Sequence, residues 1–134
     1  MKWLRIILLL GVGVLPAGRS EGKALPTILF LLGSDRAAYR AVIEGFREEI
    51  EVTAQTFDLG GKVERGVRHL EGLTTAGAPP DLVVLIGHEA LLAYLRTKPP
   101  LPALYLMVLN PWKSGVDPKE IPGVSLNFSP AQAL

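Results

Sequence analysis

The sequence predicts an α/β fold: a doubly wound, Rossmann-like parallel sheet with strand order 2-1-3-4-5. Three observations carry this. First, TILFLL (27–32), LVVLI (82–86) and ALYLMVL (103–109) are continuous apolar runs, the pattern of strands covered on both faces. Second, the stretches between them repeat apolar residues at helical spacing. Third, each strand candidate stops at a turn: GSD, DLGG, GHE or NP. Strands and helices alternating at this interval call for right-handed crossovers between parallel strands.

Thr27–Leu32 is the first buried strand, and Ser34 or Asp35 is placed to cap the helix after it. That helix carries Ala38, Val42, Ile43, Phe46 and Ile50 on one face and charged residues on the other. Gly45 inside it costs about 1 kcal/mol against Ala, so close packing on the sheet is expected there. Val52–Phe57 alternates, as an edge strand does. Lys62–Leu73 is a second amphipathic helix with Val63, Val67, Leu70 and Leu73 on its apolar face. His69 beside them reads as a solvated or partly buried residue. Asp81–Glu89 supplies the central strand and runs into the helix Glu89–Arg96. Ala103–Leu109 comes next, then an irregular loop over Trp112–Pro122 with Trp112 as a candidate anchor, and a short strand Gly123–Asn127. Ser129-Pro130-Ala131 has the form of a helix start, with no helix after it, which suggests a fragment or a shortened product.

The chain has 134 residues, about one domain. Its first 20 read as a secretory signal peptide: a basic start at Lys2 and Arg5, an apolar core over Ile6–Leu15, then small residues around Ala17 and Ser20. Without Lys2, Arg5 and Arg19, 11 basic side chains face 13 acidic ones, so the exported part, 21–134, has no basic excess to attract nucleic acid. The absence of cysteine excludes disulfides, thiolate metal sites and a cysteine nucleophile. Two histidines without ligand spacing give no metal site, and no cofactor motif is present.

Ligands of open α/β sheets bind outside the carboxyl ends of the strands. Ser34 and Asp35 stand at the first such end, as ligand contacts or as an ordinary helix cap. Gly87, His88 and Glu89 stand at the third, where Gly87 lets the backbone turn sharply and the next helix offers free N–H groups to an anion. The other reading is a plain strand-to-helix turn. Asn110 and Trp112 stand at the fourth, an amide and an aromatic face of the kind found in small-molecule pockets. No nucleophile is paired with a base, so no catalytic set emerges.

In order and spacing, Ser34, Gly45-Phe46, Gly87-His88-Glu89-Ala90, Pro102, Val108-Leu109-Asn110-Pro111 and Pro122-Gly123-Val124-Ser125 resemble the pattern of ABC-transporter substrate-binding proteins of the tryptophan/tyrosine type. Two positions depart from it: His88 replaces a small hydroxyl residue, and Asn110 replaces an Asp. The resemblance implies a type I periplasmic-binding-protein fold, of which this chain is the first lobe, a small polar solute such as an amino acid, and a membrane permease as partner. Members are roughly twice as long, with two lobes closing on the ligand, so a single lobe is expected to expose apolar surface and self-associate. The alternative is the extracytoplasmic sensing portion of a signalling protein. A small hydrolase on the same sheet lacks a nucleophile–base pair.

Overall fold

The computed structural model describes residues 25–117 and 119–126. The signal-peptide segment and the helix start at 129–131 lie outside them. The elements are β1 (Thr27–Leu32), α1 (Ala37–Glu49), β2 (Thr53–Asp58), α2 (Val63–Thr75), β3 (Leu82–Ile86), α3 (His88–Thr97), β4 (Ala103–Val108) and β5 (Gly123–Ser125). All pairings are parallel, in the order β2-β1-β3-β4-β5. The expected doubly wound sheet is therefore the one present, and β2 is its edge.

The continuous apolar runs are explained by two cores, one on each face. Ile28, Phe30 and Leu32 of β1 join Leu82, Val84 and Ile86 of β3 beneath α1, where Ile43, Phe46 and Tyr39 meet them. Phe30 is fully buried and packs edge-on against Phe46, with ring centroids 5.4 Å apart. The alternate residues Leu29, Leu31, Val83 and Leu85 face α2 and α3, against Leu70, Ala90, Leu91 and Ala93. Each large side chain fully buried in this way contributes about 1.5–3 kcal/mol relative to an exposed one. Polar anchors are few. Tyr94 donates its hydroxyl to the carbonyl of Leu101, and burial, then the charge of Glu120, raises its phenol above the ordinary value.

Several local expectations are corrected. Neither Ser34 nor Asp35 caps α1; Arg36 occupies that position without a side-chain cap bond. Ser34 Oγ instead accepts a hydrogen bond from Arg36 Nε, and Asp35 pairs with Arg40. The loop after β4 contains a 3₁₀ turn over Pro111–Ser114, and Trp112 is 60% exposed, so Pro111, not Trp112, is buried there. Leu109, Val124 and Leu126 are exposed near the same end of the sheet. β5 stops at Ser125 and β4 at Val108, both earlier than the apolar pattern suggests.

Gly45 is not a packing glycine. It is exposed, and a Cβ there would meet nothing within 4 Å. Gly45→Ala is expected to stabilise the protein by about 0.5–1 kcal/mol, by limiting the unfolded chain and favouring the helix. A thermal melt showing no rise would mean that this helix is not formed as described.

Candidate functional site

The carboxyl ends of β1, β3 and β4 lie side by side, where open α/β sheets place their ligand crevice, and backbone hydrogen bonds fix the turns that follow them. Gly33 N–H donates to the Ile86 carbonyl, Gly61 N–H to the Gly33 carbonyl, and Gly87 N–H to the Leu106 carbonyl. The turns after β1, β2 and β3 are thereby tied to one another and to β4. Beyond Leu106, β4 carries a bulge at Met107, whose φ is 60°, with the register shifting between Leu106 and Val108. Bulges of this kind bend a strand and re-aim the residues beyond it. The bend leads into Asn110, itself in the left-handed region at φ 48°.

Two glycines let side chains close over these turns. Gly87 precedes α3 with φ 97° and ψ 167°, a conformation open in practice only to glycine. The Tyr39 hydroxyl lies 2.9 Å from where a Gly87 Cβ would be. At Gly33 the same construction meets Glu89 Oε2 at 2.6 Å, so only a bare backbone admits the carboxylate there. Glu89 and Tyr39 therefore come to the β1/β3 end from two different helices.

The six residues expected at the site separate into groups. Around the ends of β1 and β3, Arg36 links Ser34 to the Tyr39 ring, Tyr39 lies over Gly87, and Glu89 lies over Gly33. His88 is exposed on the first turn of α3, with Nδ1 3.5 Å from the Ser114 hydroxyl across the β3/β4 junction. Asn110 heads the 3₁₀ turn that brings Ser114 there, its carbonyl accepting from Lys113 N–H. Asp35 is at the rim, its carboxylate 3.1 Å from Arg40 Nε. Arg36, Tyr39 and Ser114 were not singled out from the sequence. Tyr39 alone left a signal, a polar-tipped ring at the sheet-facing position of the first turn of α1.

His69 lies away from this crevice, on the outer flank of β2. Its ring stacks on Phe57 at 3.8 Å, and burial lowers its pKa. Arg65, whose guanidinium carbon is 5.5 Å from the Phe57 ring centre, lines the same open hollow with Arg68.

The architecture is a five-stranded, all-parallel α/β sheet with helices on both faces. The chain superposes on the ligand-free, open structure of CD0873, a substrate-binding protein with adhesive properties from Clostridium difficile, with a TM-score of 0.65 and 13% identity. It superposes also on an ABC domain in complex with L-Trp from Streptococcus pneumonia, with a TM-score of 0.62 and 21% identity. The matches cover 81% and 76% of this chain but only 41% and 39% of the others, so it spans about two-fifths of their length. At these identities the likeness is one of fold. No protein-family model and no curated protein sequence matches the chain.

Proposed function

We propose that the protein is the solute-binding component of an ABC importer, capturing a small polar solute such as an amino acid outside the cytoplasm and presenting it to a membrane permease. The observation that supports this most directly is the crevice itself. Ser34, Tyr39, His88, Glu89 and Ser114 bring hydroxyl, imidazole and carboxylate groups to the carboxyl end of a sheet whose fold is shared with substrate-binding proteins. Such a mix of polar groups on a rigid floor suits non-covalent recognition. The reading is binding without turnover. Among the described residues, no helix is long and apolar enough to cross a membrane.

The test is titration of the isotope-labelled protein with each L-amino acid, read from backbone amide shifts. The expected result is a saturable response confined to 33–39, 87–89 and 110–114. One lobe leaves a bound solute open to water, so the affinity expected is modest, with a Kd of about 1 mM corresponding to only about 4 kcal/mol. Replacing His88 and Asn110 together by Ala should weaken that response. A response scattered over the surface, or equal affinity in the double variant, would reject the crevice as the site.

A further inference from the structure

The open hollow on the flank of β2 has the chemistry of an anion site. β2 is the edge of the sheet, so no further strand covers this side. Phe57, near the end of β2, packs against the core on the α2 face, and Arg65, Arg68 and His69 of α2 complete the lining. The hollow has a volume of about 350 Å³, enough for a small molecule. Residues three and four apart are neighbours on a helix surface, so the three basic side chains share one face of α2.

Exposed arginines are ordinary on a protein surface, but these two lack the usual compensation. Among the described residues, neither Arg65 nor Arg68 makes an ion pair. The acids nearest in the chain are placed otherwise. Glu64 pairs with Arg96, Asp58 accepts from the Gly60 N–H, and Glu71 pairs with neither arginine. Like charges at this spacing repel, and an anion between them relieves the repulsion. The Phe57 ring also orders the donors in advance. The Arg65 guanidinium lies over it, and a guanidinium held against an aromatic ring keeps its forked N–H donors for another partner. His69 is stacked on the same ring, 10° from parallel, and its ring nitrogens have no partner among the described residues. Burial lowers its pKa, so at neutral pH the imidazole is largely uncharged and donates one N–H.

We propose that this hollow is a second binding site, separate from the crevice, and that it takes a phosphate group held by Arg65 and Arg68 with His69 as a further donor. Two guanidinium forks match the charge and the several oxygens of a phosphate dianion better than those of a single carboxylate. Inorganic phosphate and a phosphate monoester share this chemistry, and the site does not depend on the solute reading of the crevice.

The experiment titrates inorganic phosphate, glycerol 1-phosphate and acetate into the full chain at matched ionic strength and about pH 7.5, where a phosphate monoester is a dianion. Backbone amide shifts and the ring-proton shifts of His69 are followed. The expected result is a saturable response confined to 57–61 and 64–72, with phosphate roughly tenfold tighter than acetate. The bound dianion should also raise the pKa of His69, because a nearby negative charge favours the imidazolium. Replacing Arg65 and Arg68 together by Gln should weaken phosphate binding roughly tenfold and abolish the rise at His69. Both arginines are exposed, so the melting curve should not change. Tighter binding of glycerol 1-phosphate would assign the site to a monoester, and equal or tighter binding of inorganic phosphate to the free ion. Acetate binding as well as phosphate, an unmoved His69, or undiminished affinity in the double variant would overturn the proposal.

Discussion

Gly87→Ala is expected to lose about 2–6 kcal/mol of folding stability, a large fraction of the roughly 5–15 kcal/mol that holds a domain of ordinary size. Two independent costs add. A side chain at φ 97° and ψ 167° is strained by about 1–3 kcal/mol whatever surrounds it. The new methyl would also lie 2.9–3.1 Å from the hydroxyl and ring of Tyr39, and overpacking of this kind costs about 1–3 kcal/mol. The two can be separated by urea denaturation of a double-mutant cycle with Tyr39→Ala. Without the ring, Gly87→Ala should cost only its backbone share, because the sites are in contact and their effects do not add. An equal cost in both backgrounds would show that Tyr39 does not lie over Gly87. The crevice then loses one of its walls.

The second large effect is expected at Gly66, on the opposite face of the sheet. Gly66 is buried where α2 crosses α3, and a Cβ there would meet the Ala93 Cβ and the Leu59 Cδ2, each at 2.7 Å. Ala93 has no torsion with which to move aside, and Leu59 is fully buried. Gly66→Val must push the helices apart and is expected to cost about 3 kcal/mol, the upper end for an overpacked core. Gly66→Ala should cost less, since alanine recovers about 1 kcal/mol of helix propensity. Replacing Ala93 by Gly in the Gly66→Ala background should return part of the loss. Stability of Gly66→Val within about 0.5 kcal/mol of the parent, a change typical of surface positions, would contradict this packing.

The contrast between Gly45 and Gly66 shows where local reading stops. Both interrupt an amphipathic helix, and by propensity each carries the same cost. The sequence directed attention to Gly45, which touches nothing, while the close contact is at Gly66. The partners that make the difference, Leu59 and Ala93, come from the loop before α2 and from α3, and no pattern within a single helix reveals them. The same limit applies at Ser34 and Asp35. Their position before a helix made capping the natural expectation, but the helix begins at Ala37 with Arg36 in the cap position, and the two side chains meet Arg36 and Arg40 instead.

Residue patterning along the chain was enough to place the strands and their order. Thr27–Leu32 and Leu82–Ile86 lie where their apolar runs put them, because a strand covered on both faces must be apolar at every position. The order 2-1-3-4-5 was the simplest arrangement for alternating strands and helices, and β2, with its exposed residues, lies on the edge. Which polar groups meet in the crevice is a matter of packing in three dimensions. Tyr39 reaches Gly87 and Glu89 reaches Gly33 because separate helices converge on two bare stretches of backbone. Periodicity records which face of an element is buried; it carries no record of what lies opposite.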